Sequence, residues 1–204
     1  MMDCPMYHEE SRKLQDQFDT RRLADRLEEQ LVRSGFTEED RKFIEAQRLF
    51  FLATTDADGF PDCSFKGGHP GFVRVHDEQT LLFPSYDGNG MFKSMGNIMA
   101  NPAVGLLFLN FEDPERLRIS GMATVSTEDP LMANFPGAQL LVRVAVQKIF
   151  PNCSRYISKM QMVEPSPYIP REDCTPPTPK WKTWPEFQEV LPTSDPARNE
   201  KTSS

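Results

Sequence analysis

Three histidines and four cysteines are the whole stock of imidazole and thiol in this 204-residue sequence. Cys4, Cys63, Cys153 and Cys174 form no C-x-x-C pair. None stands at zinc-ligand spacing to His8, His69 or His76, so no metal site is expected. Cationic excess is missing too: the formal net charge is −7, which argues against a duplex nucleic acid partner. No apolar run approaches the roughly 20 residues that span a bilayer. The start, "MMDCPMYHEESRK", has no apolar stretch of the kind that directs secretion, and the expected location is the cytoplasm, with free thiols. Neither G-x-x-x-x-G-K-[ST] nor G-x-G-x-x-G occurs.

What is present divides into three parts, expected at 1–36, 37–164 and 165–204. In the first, "LQDQFDTRRLADRLEEQLVRS" spaces Leu14, Phe18, Leu23, Leu27 and Leu31 four and five apart, which predicts one amphipathic helix closed by Gly35. Thr37 to Asp40, "TEED", predicts a capping-box start for a second helix carrying Phe43 and Ile44. The middle part reads as six or seven strands. "LFFLATT" and "FPDCSFKGG" flank a "DADG" turn, "GFVRV" and "TLLFPS" flank "HDEQ", and "AVGLLFLNF", "RLRISGMATVST" and "QLLVRVAVQKIF" follow. Mainly β structure with flanking helices, a barrel or a sandwich, is the fold class this implies. The last part holds nine of the 18 prolines, which predicts an irregular arm that Trp181, Trp184 and Phe187 pack onto the body or onto a second subunit. Its end, "TSDPARNEKTSS", is expected to be disordered.

Between two strands lies "YDGNGMFKSMGNI", residues 86–98, a Gly/Asn-rich loop running into a short helix that Pro102 ends. A helix start offers free backbone N–H groups and the positive end of its dipole, and glycines let backbone approach an anion. Lys93 and Ser94 add a charge and a hydroxyl there, and Lys66 and Arg74 on preceding strands are placed to converge on the same point. That is phosphate-pocket chemistry. A plain chain reversal explains the same glycines equally well. Lys66, Arg74 and Arg118 also suit outward-facing strand positions that discourage edge pairing. Arg155 and Lys159 also suit the cap of a last helix turn.

In order, these elements resemble the FMN-binding split β-barrel of the pyridoxamine 5′-phosphate oxidase superfamily, in a branch related to the oxidase rather than the oxidase itself. The likeness covers roughly residues 40–165 and rests on "KGGHPGFVRV", "YDGNGM", "GNI", "RLRISG" and "FPNCSRYI". It implies a homodimer with FMN in a cleft between subunits, and an FMN-dependent oxidoreductase acting on a small molecule; the alternative is a non-catalytic flavin- or ligand-binding module. By the resemblance, Ser64, Lys66, Arg74, Ser85, Lys93 and Ser94 hold the phosphate, and Asn89 and Gly90 line the turn. The partner supplies Arg116 and Arg118 near the flavin ring, and Asn152 and Arg155 close the site. No general acid or base is assigned. The true oxidases hold their substrate's phosphate with Tyr, Arg and Ser after the "RLRISG"-type strand. Here "TEDPLMANFPGAQ" has neither Tyr nor Arg, so pyridoxamine phosphate is not the expected substrate. A deazaflavin or haem is an alternative ligand in such families.

Overall fold

The computed structural model describes residues 5–172 and 174–199. It comprises two compact units, Met1–Gln161 and Met162–Ser204. Cys4, Asp173 and residues 200–204 lie outside the described residues.

The first unit opens with α1 (Glu9–Gln17) and α2 (Arg21–Leu31), where the sequence predicts one helix. The break is a Schellman ending. Asp19 takes a left-handed conformation at φ 52°, Thr20 N–H bonds back to Gln15 C=O at 2.8 Å, and Asp19 N–H to Asp16 C=O at 3.2 Å. The helical spacing of Leu14, Phe18, Leu23 and Leu27 thus spans a bend, and all four remain exposed. Gly35 does not end a helix, since α2 stops at Leu31 and Val32 is already extended. Arg33 then exchanges backbone bonds with Ile149, tying the exit of α2 to the sheet. The capping box is present: Thr37 Oγ1 accepts from Asp40 N–H at 3.2 Å, and Asp40 Oδ2 accepts from Thr37 N–H at 2.9 Å. It starts α3 (Glu38–Ala46), and Ile44 on that helix is fully buried.

Seven antiparallel strands follow: β1 (Leu49–Thr55), β2 (Pro61–Gly67), β3 (Arg74–Val75), β4 (Thr80–Tyr86), β5 (Ala103–Asn110), β6 (Glu115–Ser126) and β7 (Ala138–Pro151), with α4 (Lys93–Ala100) between β4 and β5. They make one sheet in the order β2-β1-β5-β6-β7-β4-β3. Period-two alternation sends Phe50 and Leu52, Leu106 and Phe108, Leu117 and Ile119, Val142 and Val144, and Leu81 and Phe83 to one face, where they form the core with Ile44, Met95 and Ile98. Phe50 on β1 and Phe83 on β4 touch edge to face at 5.0 Å, although β5, β6 and β7 lie between their strands in the sheet. The sheet therefore curls around its core. A bulge at Ser120/Gly121 assists that curvature. A Cβ on Gly121 would sit 2.4 Å from Ala145 C=O, so only glycine fits there.

In the second unit, Trp181 and Phe187 meet edge to face at 5.7 Å beside α5 (Pro185–Gln188). Lys182 and Asp195 form a buried ion pair at 2.7 Å, and Gln188 donates to Ala197 C=O at 2.9 Å. Asp195, Ala197 and Arg198 thus hold contacts within this unit; residues 200–204 of the same tail fall outside the described residues.

Candidate functional site

On β2 the alternation puts Asp62, Ser64 and Lys66 on the same side as Thr54, Leu52 and Phe50 of β1, the core side. An edge strand with polar residues facing inward needs something polar to cover it, and α4 supplies the cover. Its buried side carries Met95 and Ile98 into the core and turns a polar stripe, Ser94, Asn97 and Asn101, toward β1 and β2. Asn97 Nδ2 donates to Thr54 Oγ1 at 3.0 Å and Asn101 Nδ2 to Thr55 Oγ1 at 2.7 Å. Ser94 and Ser64 share a hydroxyl hydrogen bond at 2.9 Å, and Lys66 Nζ donates to Ser94 Oγ at 3.5 Å.

Lys66 is half-buried, and among the described residues no carboxylate forms an ion pair with it. Burial pushes its ammonium below the ordinary lysine range, with Asp62 acting in the opposite direction. The helix α4 begins after Phe92, which takes a left-handed conformation at φ 48°, and no side chain caps its first turn. One cation without an ion pair, two hydroxyls and an uncapped helix start are thus brought together, an arrangement that favours an anion.

The other expected site residues divide. Lys93 is the first residue of α4 and is exposed. Asn89 and Gly90 sit on an exposed turn, where Asn89 Oδ1 accepts from Met91 N–H at 3.1 Å. Ser85 is half-buried at the bulge near the end of β4. Arg74 and Lys66 hold different hydrogen-bond partners. Arg74 lies on β3 at the opposite edge of the sheet, where its guanidinium donates to Gly71 C=O at 3.1 Å and Asn134 C=O at 2.9 Å and stacks over Phe135 at 4.6 Å. Arg116 and Arg118 project from β6 on the face opposite the core, since Leu117 and Ile119 point inward. Arg118 is exposed and paired across the ladder with Leu107. Arg116 is half-buried, and its Nε is buried without a hydrogen-bond partner. Asn152, just past β7, donates its N–H to Arg116 C=O at 3.3 Å, and its Oδ1 is likewise buried and unpartnered. Arg155 is exposed over the Tyr156 ring at 6.0 Å. It caps no helix, because the chain from 152 to 161 has none; Lys159 instead meets Asp113 at 3.7 Å on the surface. Asn97 and Thr54 were not expected as site residues, although the spacing of Ser94, Asn97 and Asn101 marks one polar helix face.

Among the described residues no group of three or more His, Cys, Asp or Glu side chains could hold a metal ion, and no helix is long and apolar enough to cross a membrane.

The family model described as pyridoxamine 5′-phosphate oxidase matches residues 36–163. No curated protein matches the chain. Several solved structures are similar. HupZ of Group A Streptococcus is 21% identical over 62% of this chain and 99% of its own, with a TM-score of 0.48. A putative pyridoxamine 5′-phosphate oxidase of Lactobacillus delbrueckii is 23% identical over 58% and 95%, at 0.47. An FMN-binding protein of Syntrophomonas wolfei is 14% identical over 69% and 97%, at 0.43.

Proposed function

Because this chain belongs to the pyridoxamine 5′-phosphate oxidase family, we propose that it is a homodimeric split-barrel flavoprotein that binds FMN between its subunits and acts as an oxidoreductase on a small molecule. The observation that carries the reading is Lys66. A half-buried ammonium without an ion-pair partner is costly unless a ligand compensates it. The groups around it, Ser64, Ser94 and the uncapped start of α4, are those that bind a phosphate. Lys93, one residue before Ser94, adds a more solvated charge.

Opposite faces of one sheet support the dimer. Lys66 and Ser64 point to the core side, whereas Arg116 and Arg118 point away from it. A single ligand meets both sets only when a second subunit presents one of them. The outer face also exposes Phe65, and Leu14 and Phe18 of the N-terminal helices are exposed as well, an amount of open apolar surface that fits a partner. Bound FMN supplies hydride and electron transfer through its isoalloxazine ring. In this arrangement Lys66, Ser64 and Ser94 anchor the phosphate, Asn97 and Asn101 fix α4 against β1, and Arg118 or Arg116 of the second subunit offsets negative charge on the ring. Substrate phosphate binding of the oxidase kind is not part of the reading. The 127–139 segment carries no Tyr or Arg, and the nearby Arg143 is engaged by Asp129 at 2.5 and 2.9 Å.

The test is a titration of the purified protein with FMN and with riboflavin, followed by absorbance and flavin fluorescence. FMN is expected to bind at least about tenfold more tightly, because only it carries the phosphate. Equal affinities would remove the phosphate pocket, and no binding of either would remove the flavoprotein. Bound FMN that no nicotinamide donor reduces would favour the non-catalytic module.

A further inference from the structure

Two adjoining cavities of the first unit share Arg116, Pro151 and Asn152 as a common wall. The larger, about 430 Å³, lies between α2 and the ends of β6 and β7 and is lined mainly by apolar side chains, among them Leu27, Leu31, Val32 and Phe150. The smaller is about 300 Å³. Both volumes fall in or near the range of small-molecule sites.

The polar atoms at their junction are unusual. Arg116 Nε is a buried donor and Asn152 Oδ1 a buried acceptor, and neither has a partner. Buried polar atoms are nearly always satisfied by protein, water or a ligand, and both residues line the two cavities, so each is open to a group that enters there. The charge there is also open. Glu28, which lines the larger cavity, is engaged by Arg12 at 3.7 Å, and Asp40, which lines the smaller, by Arg33 at 2.5 Å. Among the described residues Arg116 has no ion-pair partner. Glu39 and Glu115 also line the smaller cavity but are exposed, so solvent screens their charge.

We propose that this junction binds a small organic acid with an apolar body and a hydroxyl next to its carboxylate. Arg116 grips the carboxylate through Nε–H and a neighbouring N–H, the side-on form of the bidentate contact. The adjacent hydroxyl donates to Asn152 Oδ1. The hydrocarbon body enters the larger cavity against Leu27, Leu31, Val32 and Phe150. Placing this ligand beside a flavin, as the substrate class of the oxidoreductase, rests on the reading above; its binding does not.

Calorimetric titration of the full-length protein with 2-hydroxyoctanoate, octanoate and octylamine tests the assignment, with and without FMN. The expected result is saturable binding of 2-hydroxyoctanoate, weaker binding of octanoate and none of octylamine. Arg116→Gln is expected to weaken the first by tenfold or more. Leu27→Trp fills the larger cavity from a partly exposed position without touching Arg116 and is expected to do the same. A thermal melt of each variant confirms that it is folded. Absence of binding, equal binding of octylamine, or binding that both folded variants retain would overturn the proposal. Binding of 2-hydroxyoctanoate by a protein that takes up no FMN would keep this site and remove the flavin reading.

Discussion

Replacing Lys66 by methionine keeps an unbranched side chain one atom shorter and deletes its charge, so it separates what the ammonium does for the fold from what it does for a ligand. Its hydrogen bond goes to the Ser94 hydroxyl at 3.5 Å, and Asp62 acts on Lys66 only through space. Deleting the charge therefore removes no ion pair and relieves a desolvation cost. Lys66→Met without ligand is expected to unfold at the same denaturant concentration as the parent, or at a higher one. FMN binding should move the other way. A lost charge-assisted phosphate contact is worth about 1.5–3 kcal/mol, a factor of roughly 10–150 in Kd, whereas riboflavin affinity should stay unchanged. The pH dependence has a definite sign. Burial lowers the folded-state pKa of Lys66 beneath its ordinary 10.5, so between the two values the unfolded chain binds more protons. The unliganded parent thus gains stability from this group as pH rises toward 10.5, and Lys66→Met lacks that gain. Fluorescence titration and urea unfolding against pH measure both. A variant that loses stability while keeping its preference for FMN over riboflavin would refute the argument.

Three further outcomes follow from neighbouring contacts. Lys93→Ala should weaken FMN binding by less than tenfold, because Lys93 is exposed and its charge is screened by solvent, as a titration would show. Asn97→Ala leaves the buried Thr54 hydroxyl without its 3.0 Å donor; it should cost about 1–3 kcal/mol in urea unfolding and weaken FMN binding by loosening α4. Asp40→Asn should cost about 3 kcal/mol at neutral pH. Burial alone would raise the pKa of Asp40, but Arg33 and Thr37 overcome it and hold the carboxyl below 3.8, so its stabilisation is lost as pH falls below that value. The variant's unfolding curve should be flatter there than the parent's.

The sequence made some of this legible through local rules. A capping box needs only Thr37 and Asp40 three apart, and strands need only alternation, so both are found where the pattern puts them. The α1–α2 bend escaped because a left-handed Asp19 leaves no periodic trace and the leucine spacing runs on through it. Arg74 shows a second limit. Its place shortly after Lys66 in the chain gives no sign that a nearby aromatic ring and two carbonyls occupy its guanidinium.

Facing is the property that alternation does reveal, and it carries the strongest consequence for function. Ser64 and Lys66 are two apart on β2, so they share a face, and their pairing with Leu52 and Phe50 makes it the core face. Arg116 and Arg118 are two apart on β6 beside the inward Leu117 and Ile119, so they share the other. A sheet keeps its two faces apart however it curls. On the proposed reading, residues grouped by family likeness into one binding site thus fall into two half-sites on each chain. The half-site on the core side is already closed by α4, and the outer one ends at the open pair Arg116 and Asn152. On the proposed reading, completing either with the other takes a second copy of the chain, so dilution that separates the subunits is expected to release FMN in parallel, and a folded monomer that keeps FMN would refute it.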